Sequence, residues 1–453
     1  MLIHGGTLVC MDAARTVMRG DLLVADGRIA ALGPGIPAAL AALPGARAPE
    51  SFDARGALVL PGLVHAHLHL CQTLFRGLAE QSDLLRWLRE SIWPLEAAHT
   101  EASFAASVRL GACELLSGGV TCVNDMGTVH HTDVLGETLA ETGLRAIFGP
   151  ALMDQGEGVP ARLLEGSGRA LEQALALARR LRASDSGRLS VSLAPRFILS
   201  CSERLWRDVT DASREHGLLV HTHLAESPIE GGEVKAAVGS HAAPYFAAHG
   251  VLSPRFVGAH GVWLDAGELE LMRAADAALV HCPGSNLKLG SGIADVRAWR
   301  RAGVRCGLGS DGAACNNRLD TFAEMALAAG LARAKHADDP LAAADVVALA
   351  TCDGAAALGL AHAIGSLEVG KRADVVVIDV SQAHHAPFAT RDPYTTLVHA
   401  ARASDVRLTM VDGRVLVERG RHRTLDPERC AEEARVEAEA LVARAGLTGG
   451  VRR

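Results

Sequence analysis

Long apolar runs, paired cysteines and a strong charge of either sign are all missing from this chain. No stretch of about 18 apolar residues is free of polar breaks, so no membrane span is expected. The ten cysteines are scattered and contain no C-x-x-C pair, which reads as reduced thiols of a cytoplasmic protein. The start, MLIHGGTLVCMDAARTV, has no cationic segment leading into an apolar one, so no secretory leader is expected. A net charge of −7 argues against nucleic acid or an anionic membrane as the main partner. No repeat of fixed period is found. Tyrosine occurs only twice against 20 histidines, which directs attention to where the histidines sit.

What remains is an ordinary globular composition, 49% hydrophobic and 21% charged. With 453 residues the chain exceeds the roughly 250 of a single (β/α)₈ barrel, leaving room for a smaller domain. Residues 2–60 read as short strands broken by turns, and Asp26-Gly27 between apolar alternations is a hairpin signal. Asp412-Gly413 repeats that signal near the other end. Between them, apolar runs such as GLLVHTHLA, FVGAHGV and VRCGLGSD alternate with helical stretches, the pattern of a parallel sheet. The expected fold is α/β: a (β/α)₈ TIM-like barrel with a small composite β-sandwich domain formed by both termini. The expected division is β-sandwich over 1–58, barrel over 59–365, returning β-sandwich over 366–423, and a C-terminal helix with a frayed tail over 424–453.

Four constellations carry chemistry. In Pro61-Gly62-Leu63-Val64-His65-Ala66-His67-Leu68-His69, strict alternation would put His65, His67 and His69 on one face of a strand. At the C-terminal end of a barrel strand that face meets the mouth, and imidazole ligates zinc or iron well. The blander account is a surface strand with incidental histidines. His221-Thr222-His223-Leu224-Ala225-Glu226 again ends an apolar run, with Glu226 placed either to reach an activated water or merely to start a helix. His260 ends FVGAH, as a functional or a buried structural histidine. Asp311 in Gly307-Leu308-Gly309-Ser310-Asp311 is a ligand flanked by small residues or a turn residue. The last two gain weight from the others: four strand ends in chain order carrying His or Asp form a barrel metal site.

PGLVHAHLH, HTHLAE, AHGV, HCPGSNLKLGSG and GLGSDGAACNN together resemble the amidohydrolase superfamily, over about residues 2–420. The resemblance is to its aminohydrolase (deaminase) branch, hydrolases acting on C–N bonds other than peptide bonds. It implies one divalent metal ion, zinc first and iron as the alternative, held by His67, His69, His223 and Asp311. His65 stands where the family usually has Asn, and is left outside the ligand set. His223 is preferred to His221 because the family's ligand lies three residues before its glutamate, here Glu226. Dinuclear members bridge two metals with a lysine of the fourth strand; no lysine precedes Lys235, which favours a mononuclear site. The catalytic set implied is Glu226 as proton shuttle, His260 as donor or orienter, and Asp311 as both ligand and proton acceptor.

For the substrate, Gln72 three residues after His69, and Arg196-Phe197 before Ser200-Cys201-Ser202, resemble guanine deaminases. Gln72, Arg196 and Phe197 are therefore the expected substrate contacts, and guanine the expected substrate. The alternative for the polar pair is that Arg196 pairs with an acid and Gln72 caps a loop. The stretch Asp311 to Asp320 is more like deaminases of adenosine, methylthioadenosine and S-adenosylhomocysteine, the alternative reading. Aminotriazine or pterin deamination lies within reach of the same scaffold. A cyclic-amide hydrolase or a non-catalytic metal-binding relative fits less well. A small heterocycle is the expected partner, and homo-oligomerisation is left open.

Overall fold

A computed structural model describes residues 1–41, 49–79, 83–183, 187–387 and 390–447. The end of the expected tail, 448–453, lies outside the described residues.

The chain begins in a sheet made from both of its ends. β1 (Leu2–Val9), β2 (Val17–Ala25), β3 (Arg28–Gly33), β4 (Ser51–Asp53) and β5 (Ala57–Pro61) come first. The barrel strands follow: β6 (Leu63–Leu68), β7 (Val120–Met126), β8 (Arg145–Gly149) with its short continuation β9 (Ala151–Leu152), β10 (Leu189–Pro195), β11 (Leu219–Leu224), β12 (Phe256–His260), β13 (Ala278–His281) and β14 (Arg305–Leu308). The chain then returns to the first sheet as β15 (Val375–Asp379), β16 (Val406–Val411), β17 (Arg414–Glu418) and β18 (Arg421–His422). In that composite sheet β5 lies between β1, to which it is parallel, and β15, to which it is antiparallel. Both Asp-Gly signals form two-residue hairpins, β2–β3 and β16–β17, with Asp26, Gly27, Asp412 and Gly413 all at positive φ. The sheet has its own core around Ile3, Leu8, Val59, Val375 and Met410.

The second sheet runs β14-β13-β12-β11-β10-β8-β7-β6, and its ladders are parallel throughout. Eight parallel strands with intervening helices form the (β/α)₈ barrel. Val64, Ile147, Val257 and Val280, from strands on opposite sides, pack together inside it. The seam between β14 and β6 is drawn shut by the Asp311 N–H, which donates to His67 O at 3.3 Å. Gly309 permits that approach: a Cβ there would lie 2.5 Å from His67 O. Arg145 on β8 joins barrel to composite sheet, holding Asp374 at 2.7 and 3.0 Å and Asp412 at 2.6 Å.

The helix Pro427–Arg444 folds back over the barrel's first connection. Ala434 and Leu441 are buried with Leu84, Trp87 and Leu95, and Arg444 Nε donates to Ala98 O at 3.0 Å. The C-terminal helix thereby braces a wall of the mouth. No described helix is long and apolar enough to cross a membrane.

Candidate metal centre and active site

The ends of β6, β11, β12 and β14 bring His67, His69, His223, His260 and Asp311 into one cluster, with His223 half-buried and the others buried. Strict alternation fails in β6, where the pairing with β7 shifts register between His65 and Leu68. Such an irregularity re-aims side chains. His65 bonds Thr321 Oγ1 at 2.7 Å and Ser310 Oγ at 3.1 Å, while His67 and His69 enter the cluster. His260 (φ 76°), Asp311 (φ 62°) and Ala225 beside Glu226 (φ 46°) all adopt left-handed backbone. For non-glycine residues this costs on the order of 1–3 kcal/mol each and persists where surroundings enforce it.

The histidines are oriented from behind. His69 Nδ1 donates to Met126 O at 2.8 Å, and His223 Nδ1 donates to Arg196 O at 2.7 Å. A carbonyl can only accept, so each neutral ring presents an unprotonated Nε2. Burial holds His69 down to about 4 and His223 well below the usual histidine value, which keeps both neutral. Their Nε2 atoms nevertheless face each other at 3.2 Å. Two lone pairs at that distance repel unless a cation lies between them. His67 Nε2 is 3.3 Å and His69 Nε2 3.4 Å from Asp311 Oδ1. A tetrahedral shell with bonds of about 2.0–2.1 Å has donor–donor edges of about 3.3 Å. His67 Nε2 is also buried without a hydrogen-bond partner, and His67 Nδ1 is fixed by His221 Nε2 at 2.8 Å. The donor set therefore fits one divalent ion held by His67, His69, His223 and Asp311, with His221 behind His67.

Beside the cluster stand a carboxylate and a further imidazole. Glu226 Oε2 is 3.6 Å from His260 Nε2, and its Oε1 accepts from Ser291 Oγ at 3.1 Å. Burial raises the Glu226 carboxyl, against the pull of His260. His260 would be lowered by burial, but Glu226 and Asp311 outweigh it and raise the imidazole. Its Nδ1 bonds Asn286 Oδ1 at 2.9 Å, leaving Nε2 directed at the two carboxylates. Asp311 Oδ2 also accepts from Ser285 Oγ at 2.7 Å. A proton acceptor and a donor thus flank the place where an ion and its water would sit.

The cavity above this cluster is walled by Gln72, Leu84, Trp87, Leu88, Arg196, Phe197, Glu230 and Leu289. All three residues expected to touch substrate line it; Arg196 is already engaged, and Gln72 is engaged through its Nε2 while its buried Oε1 has no partner. Arg196 Nη1 and Nη2 donate to Glu96 Oε2 and Oε1 at 2.6 and 3.1 Å, and Gln72 Nε2 donates to Glu96 Oε1 at 3.0 Å. The pairing of Arg196 with an acid is the form observed. Glu96 ends the stretch LLRWLRESIWPLE, which also resembles guanine deaminases, but nothing in that stretch pairs it with Arg196. Glu230 carries a local signal that was passed over: it stands three residues after Ser227, the cap of the helix Pro228–Val238. Its Oε2 accepts the Glu226 N–H at 3.0 Å, which fixes the backbone of the proposed proton shuttle.

A barrel whose strand ends carry this His–Asp cluster, Glu226 and His260 is a hydrolase, and comparison with known proteins identifies which kind. The amidohydrolase family matches residues 58–416, and the chain belongs to it as an enzyme acting on C–N bonds. It is 37% identical over 447 residues to a 5-methylthioadenosine/S-adenosylhomocysteine deaminase of Halobacterium salinarum, covering 98% of each chain. It is 35% identical over 433 residues to a 5′-deoxyadenosine deaminase of Methanothermobacter thermautotrophicus, covering 94% of this chain and 95% of the other. Among solved structures, an adenosine deaminase from Xanthomonas campestris with bound zinc superposes with a TM-score of 0.89 at 30% identity, covering 98% of each.

Proposed function

We propose that the chain removes the 6-amino group of adenosine-type nucleosides altered at the 5′ carbon, releasing ammonia. We further propose one zinc ion held by His67, His69, His223 and Asp311. The observation that carries the reading is the 3.2 Å approach of two outward-facing Nε2 lone pairs, with Glu226 and His260 beside them. β10, the fourth barrel strand, is LSVSLAP and has no lysine, which supports a single ion. The zinc in the similar adenosine deaminase supports the metal chosen.

Guanine, expected from Gln72 and Arg196, yields to this substrate for two reasons. The similar enzymes are named for adenosine nucleosides. Arg196, the fork that would grip a 6-oxo edge, is bound at both Nη atoms by Glu96.

When bound, the divalent ion supplies Lewis acidity that makes water nucleophilic near neutral pH. Glu226 takes a proton from the attacking water and passes it to N1 of the purine as C6 becomes tetrahedral. Asp311 receives the second proton and returns it to the departing amine. His260 donates to the oxygen arriving at C6. Water is consumed, the C6–N bond breaks, and the 6-oxo nucleoside and ammonia leave. Each such proton transfer contributes about 10²–10⁴-fold.

Incubation of the zinc-loaded enzyme with 5′-methylthioadenosine should yield ammonia and the spectrum of the 6-oxo product. Failure to release ammonia from any 6-aminopurine nucleoside would overturn the reading.

A further inference from the structure

We infer that Asn124 and Asp125 of β7 are positioning residues of the metal centre, holding from both sides the segment that carries His67 and His69. The inference rests on the metal reading and adds what fixes the two ligands contributed by β6. The ladder between β6 and β7 shifts register after the pair His65–Val123 and resumes only at Leu68–Asp125. Regular backbone pairing therefore does not set where His67 and His69 point. Three successive residues of β7 supply what the ladder leaves out. Asn124 Nδ2 donates to Ala66 O at 3.0 Å, between His65 and His67. Asp125 Oδ1 accepts the Leu70 N–H at 2.6 Å, and Met126 O accepts from His69 Nδ1 at 2.8 Å. Neighbouring side chains of a strand point to opposite faces, so Asn124 and Asp125 reach the end of β6 on opposite sides of the sheet.

The Asp125 bond answers a specific need. Leu70 opens the short 3-10 helix Leu70–Phe75, and the cap of that helix is His69. The first N–H groups of a helix lack partners within it, and a capping side chain ordinarily meets one of them. His69 makes no such bond, because its ring is turned to Met126 O and to the cluster. A metal ligand at the cap position leaves the start of the helix open, and Asp125 closes it from the adjacent strand. Asp125 is fully buried, and its Oδ2 has no hydrogen-bond partner. A carboxyl half satisfied in the interior costs stability. What Asp125 supplies in return is the position of the ligand segment.

The test measures the zinc dissociation constant of the metal-free enzyme by competition with a chromophoric chelator, alongside its stability to urea. Asn124→Ala and Asp125→Ala should each weaken zinc binding by about 10–100-fold, the effect of losing a group that orients a ligand from behind. Asp125→Asn keeps an accepting oxygen and should stay within about fivefold of the unaltered chain. Val123→Ala opens a cavity in the same strand, and should lower stability with zinc affinity unchanged. An unchanged zinc affinity in a folded Asn124→Ala or Asp125→Ala enzyme would overturn the inference and leave the metal reading standing. An equal loss of affinity in Val123→Ala would do the same, since the effect would then follow from general loosening of the strand. If one of the two alanine variants does not fold, the other decides alone. Failure of the unaltered chain to bind zinc would overturn the metal reading and this inference together.

Discussion

The two polar assemblies of the barrel mouth are built on opposite principles. In the cluster at the strand ends, His69 and His223 are fixed through Nδ1 by backbone carbonyls, so their Nε2 lone pairs point at one another. In the wall above it, Glu96 accepts from Arg196 and from Gln72 Nε2 at 2.6–3.1 Å. The first is incomplete without a cation. In the second the Arg196–Glu96 ion pair is closed, and an incoming ligand would have to break it to use Arg196, while Gln72 Oε1 is left without a partner. Polar side chains at the same mouth thus play different parts according to where their partners come from.

The largest effect should come from breaking the incomplete assembly. His69→Ala should lose the metal, measured by elemental analysis, and bring turnover below detection. Glu226→Gln should keep the metal and lower kcat by about 10²–10⁴-fold, because the amide cannot accept the proton. Full metal content in the His69 variant, or near-normal kcat in the Glu226 variant, would contradict the roles given to them.

Breaking the ion-paired assembly should register first in stability. Arg196→Ala leaves Glu96 buried without its partner and should cost about 3–5 kcal/mol, read from chemical denaturation, with metal content unchanged. Replacing both Arg196 and Glu96 by leucine should cost much less, since no orphaned charge remains. If the double variant is as unstable as the single one, the pair is not the closed unit described.

A smaller effect concerns the support of the cluster. Glu324 Oε2 accepts the Gly284 N–H at 2.9 Å and its Oε1 accepts from Asn316 Nδ2 at 2.8 Å, linking the connections after β13 and β14. Burial pushes its carboxyl from the ordinary 4.5 up to about 7. The folded value lies above the unfolded one, so the folded state holds the proton more tightly. Its contribution to stability is present below about 4.5 and is lost as pH rises through about 7. Glu324→Gln should flatten the fall in stability across that window relative to the unaltered chain. Parallel stability–pH curves for the two would contradict this.

The same contrast explains what could be read from the chain alone. Strand–helix alternation, two Asp-Gly hairpins and ligand types at successive strand ends depend on local pattern, and they led to the barrel, the composite sheet and the His–Asp cluster. Alternation alone put His65 on the face of His67 and His69, because it assumes a regular strand and β6 is irregular where it matters; the resemblance, not the pattern, kept His65 out of the ligand set. The stretch ending in Glu96 was legible by resemblance, but not its pairing with Arg196, 100 residues away. Without a named acid to pair with, Arg196 was read first as the grip on a 6-oxo purine. The C-terminal helix was legible as a helix, but its bracing of Leu84 and Trp87 depends on tertiary packing that no local spacing encodes.

The most direct test of the central claim is the ratio of kcat/KM for 5′-methylthioadenosine to that for guanine on one zinc-loaded preparation. With Arg196 held by Glu96, the account predicts a ratio of at least about 100 in favour of the nucleoside. Efficient turnover of guanine, with little of 5′-methylthioadenosine, would show that Arg196 leaves Glu96 to grip the base and would contradict it.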